Sequence, residues 1–291
     1  MRQYWYSPKS DEETRILLSY SLYGKKLSYA YTGVLLSHTV VFVFTTLLSK
    51  LLYAEPSEDD PSSAHDEQIG LPYHVNYMVD PKTYYVPIFV HVTVCVVSYT
   101  ILMLTFDVLY MTFVQHCCGL FAALRYRLES AFEFESNDLP MSAKSKLHSN
   151  IVYSIRRHAE AIQFATVTES IHRIPLFIHV GANISVLSIL GFQVITSTED
   201  INHLLKHVSY LSALLLNTFF ENWQGQKLID SSEKVYESAY NAEWYRMPIA
   251  QRKLFIMIMM RSRRSLKITA GLTCIIIIFY AATIHTIKIP N

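Results

Sequence analysis

The chain has 291 residues, 51% hydrophobic and only 17% charged, with a mean hydropathy of +0.20. Soluble domains carry about a quarter charged residues, so this composition excludes an ordinary water-soluble globule and predicts extensive apolar surface. A formal net charge of +1 provides no global field to draw nucleic acid, and no nucleic-acid partner is expected.

A bilayer core of about 30 Å needs about 20 apolar residues in a helix. Leu27 to Ser49 supplies 23 residues without Asp, Glu, Lys or Arg, flanked by Lys25-Lys26 and Lys50. Thr83 to Phe106 supplies 24, Ile174 to Thr198 supplies 25, and Ile268 to Ile287 supplies 20. His207 to Phe220, fourth in chain order, has 14, and Ile201 to Leu205 extends it upstream. Five spans result. After Asp107 the second apolar pattern runs on through Leu109, Phe113, Leu120, Phe121 and Leu124 without a proline. It predicts one helix from Tyr84 to Leu124, about 60 Å long and so about twice the hydrocarbon thickness. Asp107 is expected at the inner boundary, as a solvated helix end. Pro87 and Pro175 fall near the starts of their spans, where a missing N–H costs little.

Motifs for enzymatic chemistry are lacking: there is no HExxH, GxSxG, Gly-rich phosphate loop or kinase signature. The chain is read as not an enzyme, with no catalytic residue, cofactor or metal assigned. Cys95, Cys117, Cys118 and Cys274 lie in apolar stretches and read as buried free thiols. With no CxxC pair, a structural zinc site has no support. His91, His179 and His207, in or near spans, read as helix–helix hydrogen-bond partners. Met1 is followed by polar and charged sequence, not by the apolar run of a signal peptide.

Alternating the spans from an inside N-terminus leaves 1–26, 107–173 and 221–267 on that side. These segments hold 5, 7 and 9 Lys and Arg, which is 21 of the 25. Cytoplasmic loops carry such an excess, so the N-terminus is expected in the cytoplasm. Ala54–Asp80, with seven Asp and Glu, is expected outside.

The segment after the fourth span is the most specific in the chain. It reads Gly225-Gln-Lys-Leu-Ile-Asp230, Glu237-Ser-Ala-Tyr240-Asn-Ala-Glu-Trp244-Tyr245, Met247-Pro248, Met257-Ile-Met-Met-Arg261-Ser262 and Leu266-Lys-Ile-Thr-Ala-Gly271. This resembles the C-terminal signature of insect odorant receptors, and its wording is close to that of the receptors of ants, bees and wasps. There, an AYxxxWY element precedes a basic, apolar helix and a TAG-like turn. Leu71-Pro72-Tyr-His-Val-Asn-Tyr77 and Tyr84-Tyr85 are similar to their second outer loop. The resemblance implies an all-α, polytopic membrane bundle carrying about five spans of a seven-helix fold. It implies a plasma-membrane tuning subunit, binding volatile odorants within a cation channel of four subunits that includes an obligate co-receptor. A cytoplasmic anchor holds such subunits together, and the second half of helix seven lines the pore.

Two departures accompany the resemblance. Met1 lies where the family has its loop before helix three, and the stretch after Gly271 does not match the family's pore helix. A truncated gene model or altered splice product accounts for both. The expected organisation is a ligand-binding bundle over 1–220 with a cytoplasmic helix–loop extension at 107–173. An anchor at 221–267 and an atypical last membrane helix at 268–291 complete it. Small volatile ligands need apolar and aromatic walls with few polar groups. By this topology the outer half of the bundle offers Val41, Thr45, Phe89, Val92, Tyr210 and Leu214 as ligand contacts. Tyr240, Trp244, Tyr245 and Arg261 fall in the anchor. The alternatives are a G-protein-coupled type of receptor, opposed by the orientation and the lack of an NPxxY-like end, and a non-conducting membrane scaffold. A transporter would show internal repeats.

Tags in Ala54–Asp80 and in Glu129–Lys146 test the orientation. The first is expected to stain on intact cells and the second only after permeabilisation. Staining of the second on intact cells reverses the topology.

Overall fold

The computed structural model describes residues 10–52, 77–79, 83–130, 141–196, 201–264 and 266. Among these there are five α-helices and no strand: α1 (Asp11–Leu52), α2 (Tyr85–Ser130), α3 (Met141–Thr196), α4 (Ile201–Asn241) and α5 (Ile249–Ser262). A 3₁₀ turn, Trp244–Arg246, joins α4 to α5. Within lipid a chain must satisfy its own backbone polar groups, which leaves helices as the natural form for apolar runs of this length.

Tyr85–Ser130 is one helix of 46 residues, unbroken at Asp107. At 1.5 Å per residue it is about 69 Å long, so the overlong helix expected from the sequence is present. It has company: α1, α3 and α4 run to 42, 56 and 41 residues. Each starts or ends well beyond its apolar stretch, because charged residues such as Lys25, Lys26 and Arg173 end a hydropathic span without ending a helix. Pro175 is therefore not at a helix start. It lies inside α3, whose first turn is far upstream at Met141.

Among the described residues, three helices are long and apolar enough to cross a membrane: Asp11–Leu48, Tyr85–Ser130 and Ser145–Ile195. Only 6%, 11% and 33% of their most apolar windows are buried within the chain, so those faces require an apolar solvent. α4 is not among them: His203, Lys206, His207 and Asn217 dilute its apolar run. The fifth candidate span, Ile268 to Ile287, lies outside the described residues, as does Cys274.

By contacts the chain divides into two compact units, 27–109 and 1–26 with 110–291. In the second unit, α3 packs on α4 and both pack on α5. Its core contains Met111, Val114, Phe121, Leu128, Ile151, Leu228, Val235, Ala239 and Phe255. Every one of these is buried, whereas Val86, Val90, Val94 and Leu102 on the first half of α2 are exposed. The start of α1 also joins this unit. Glu13 pairs with Arg127, and the Lys227 ammonium lies 4.0 Å above the Tyr23 ring.

Close approach here depends on two glycines. A Cβ on Gly24 would stand 3.2 Å from Gln115 Cβ, and one on Gly119 would stand 3.2 Å from Tyr20 Cβ. Gly33 and Gly191 have open space. Gly119→Val is expected to lower the folded yield in membranes and the thermal midpoint. Gly33→Ala and Gly191→Ala are expected to raise the midpoint slightly, since Ala improves a helix interior by about 1 kcal/mol. Equal effects of all three on a detergent melting curve would remove this account of the α1–α2 contact.

Candidate functional site

In the unit formed by 27–109, the polar contacts lie between the apolar halves of α1 and α2. The Tyr31 hydroxyl donates to Asp107 Oδ2 at 2.5 Å, and the hydroxyls of Thr39 and Thr100 are 3.4 Å apart. The pairing 31–107 and 39–100 makes the two helices antiparallel. Asp107 is 3% exposed, which corrects the expectation of a solvated helix end. Hydropathy located it at a boundary but could not show that Tyr31 faces it. An ionisable group so placed in a membrane helix is kept by its partners.

Toward the start of α2, His91 Nδ1 lies 2.8 Å from the Tyr77 hydroxyl, and His91 Nε2 lies 3.9 Å from Cys95 Sγ. His91 thus contacts a loop tyrosine and its own helix, not a neighbouring helix as expected, and Cys95 is exposed, not buried. Cys117 and Cys118 are buried free thiols, as the sequence predicted. Of the ligand-contact candidates in this unit, Val92 is buried, and Phe89 is half-buried and stacks on Tyr85 with centroids 5.8 Å apart. Val41 and Thr45 are exposed on α1.

The second unit holds a longer buried polar seam. His179 Nδ1 of α3 is 2.7 Å from Glu221 Oε1 of α4, with both side chains at most 10% exposed. The two atoms are close, but their geometry is off-line for a hydrogen bond. His179 thus brings α3 and α4 together by proximity to Glu221 rather than through the hydrogen bond expected for it. Nearby in the sequence, Gln115 Nε2 donates to Gln224 Oε1 at 2.9 Å, with both residues buried. A run of rings connects α2 to α3: Tyr110 and Phe113 meet His172, while Phe113 and His116 meet Phe164. Tyr210 and Leu214, the remaining ligand-contact candidates, are half-buried on α4, with Leu214 two turns before Glu221. The sequence reading missed Glu221 and Gln224 because it took Glu221 as the charge that closes a span. Their signal was the i, i+3 spacing of polar residues at the end of an apolar run.

Among the anchor candidates, Tyr240 is 60% exposed and stacks on Tyr236 with ring planes 20° apart. Trp244 is half-buried and meets Tyr245 edge-on at 6.4 Å. α5 buries Phe255, Ile258 and Met259. Its other side exposes Ile249, Met257, Met260 and Arg261.

The profile of the 7tm odorant receptor family matches residues 7–278. Odorant receptor 67a of Drosophila melanogaster is 24% identical over 133 residues, 46% of this chain and 32% of that protein. The odorant receptor coreceptor of Anopheles gambiae is 26% identical over 110 residues, 38% of this chain and 23% of that protein. The aligned segments thus span about a third or less of these curated relatives. Among solved structures, the insect olfactory receptor OR5 from Machilis hrabei superposes with a TM-score of 0.60 at 13% identity. That match covers 92% of this chain and 68% of the other. The same receptor in complex with eugenol gives 0.53 at 12% identity, covering 92% and 70%. This all-helical, multi-pass membrane chain belongs to the odorant receptor family.

Proposed function

We propose that this chain is the tuning subunit of an odorant-gated cation channel, working with a co-receptor subunit in the plasma membrane with its N-terminus cytoplasmic. The observation that carries the reading is the family match over residues 7–278. Similarity to a receptor solved with eugenol and to a co-receptor supports a small apolar ligand and a partner subunit. The 21-to-4 division of Lys and Arg supports the orientation. The candidate ligand contacts are Val41, Thr45, Phe89 and Val92 in one unit, and Tyr210 and Leu214 in the other. Residues 221–267 form the subunit anchor: exposed Tyr240, Tyr245 and Met260 on a basic segment are the composition of an interface. Four subunits complete the proposed assembly.

Ligand binding acts directly on a closed–open equilibrium. Moving it from about one per cent open to mostly open takes several kcal/mol of preference for the open state. Burying a few ligand methylenes at about 0.8 kcal/mol each reaches that range only where the open state fits them better.

The receptor containing this chain, co-expressed with a co-receptor, is expected to pass cation current on odorant application with G-protein turnover blocked. Tyr210→Ala is expected to raise the half-response concentration about tenfold, equivalent to about 1.4 kcal/mol, with assembly intact. Trp244→Ala is expected instead to reduce the assembled complex on native gels. A current abolished by the G-protein block overturns the channel reading.

A further inference from the structure

Lys26 is exposed on α1, immediately before the apolar run that starts at Leu27. Tyr23, one turn earlier on the same face, carries the Lys227 ammonium of α4 4.0 Å above its ring. The Trp223 ring stands 5.4 Å from the same ammonium. All four residues belong to the unit formed by 1–26 and 110–291. Among the described residues neither lysine is ion-paired with a carboxylate. Glu221 and Asp230, the acids on either side of Lys227 in α4, are engaged elsewhere: Glu221 is buried beside His179, and Asp230 accepts from Gln226 Nε2 at 2.7 Å. The contacts also give the helix directions. Glu13 meets Arg127 and Gly24 meets Gln115, so α1 runs antiparallel to α2 here. Gln115 meets Gln224 and Arg125 meets Ser238, so α4 runs parallel to α2 and antiparallel to α1. Moving back along α4 from Lys227 thus follows α1 toward its apolar run. That path is Trp223, Phe219 and Leu216, set at steps of three or four residues on one face and all exposed.

We infer that this face holds an anionic phospholipid, with its phosphate at Lys26 and Lys227 and its acyl chains along Phe219 and Leu216. Two cations lie at the edge of an apolar stripe, with aromatic rings between, and that is the order of charge and hydrocarbon in a lipid. Tyrosine and tryptophan gather at this depth because their rings suit the boundary between headgroup and tail. Basic residues where helices enter a membrane attract anionic headgroups, and pockets between helices hold them. The Tyr23 ring offers the Lys227 ammonium a neutral, electron-rich face, which holds it in place without cancelling its charge. A soluble phosphate would use the same lysines but leave Phe219 and Leu216 uncovered. The inference requires that the run after Lys26 enter a membrane, and it is independent of whether the receptor conducts ions.

The test uses the purified receptor that contains this chain, in nanodiscs of phosphatidylcholine with a minor share of phosphatidylglycerol. Native mass spectrometry reads the lipid it retains. The parent is expected to retain phosphatidylglycerol over phosphatidylcholine severalfold. Lys26→Gln, an exposed change, is expected to reduce that preference, and Lys26→Gln with Lys227→Gln to abolish it. Melting midpoints of both variants in phosphatidylcholine alone are expected to stay that of the parent, which shows an intact fold. Lys227→Arg is expected to keep the preference. So is Lys146→Gln, which lies about 42 Å along α3 from the start of its apolar run at Ile174. Excess glycerol phosphate is expected to displace none of the lipid. Full preference in the double variant, or an equal loss in Lys146→Gln, overturns the site. Displacement by glycerol phosphate gives the lysines to a soluble phosphate and overturns the lipid.

Discussion

A chain in a bilayer core has no water to satisfy its peptide groups, so its backbone must bond within itself. In this protein that constraint is met by helices far longer than the bilayer is thick. Four of the described helices exceed 40 residues, where about 20 suffice to cross. Nothing in lipid physics asks for the surplus. It is explained by packing: residues 110–130 of α2 bury Met111, Val114, Phe121 and Leu128 in a core of their own, whereas residues 85–109 leave Val86, Val90, Val94, Ile101 and Leu102 exposed. One helix thus has two solvents along its length, lipid for one half and protein for the other.

Where those two regimes meet, polar groups are paired between helices. Tyr31 with Asp107 and His179 with Glu221 each tie residues from different helices within one unit. Burying a lone carboxylate costs several kcal/mol, and a partner offsets part of that. Such pairs are therefore weak as sources of stability and strong as devices of register. A slip of one residue would part Tyr31 from Asp107. Gly24 and Gly119 act in the same direction, since their contacts at 3.2 Å admit only one seating of α1 on α2.

Much of this was legible in the residues. Apolar runs located the first three membrane segments, the absence of a proline after Asp107 revealed the long helix, and the order of motifs around Tyr240 and Trp244 indicated the family. What hydropathy could not show was facing. Asp107 looked like a solvated end because its partner is 76 residues away. Pro175 looked like a helix start because the apolar run begins there, although the helix does not. His91 was taken for an interhelical partner because the loop residue Tyr77 gives no periodic signal, although the His-x-x-x-Cys spacing was visible. The ligand contacts were the least legible. Val41 and Thr45 were chosen by depth along a span, and depth says nothing of which way a side chain turns.

The continuity of α4 bears on how a binding event could reach an assembly surface. Tyr210 and Tyr240 lie on the same unbroken helix of 41 residues. Thirty residues at 1.5 Å each separate them by about 45 Å. A helix transmits a tilt over that length only if it has two seatings to choose between, since close-packed contacts do not deform continuously. The contacts that seat α4 include Glu221 against His179, Gln224 against Gln115, Ser238 against Glu129 and Arg125, and Leu228 and Val235 in the core. The first two are polar and lie between Tyr210 and Tyr240. Parting a buried polar pair leaves its groups without partners, a cost larger than the pair's own contribution to stability. Glu221 and Gln224 therefore fix the seating of α4 between Tyr210 and Tyr240, and buried Leu228, Val235 and Ala239 continue it beyond them.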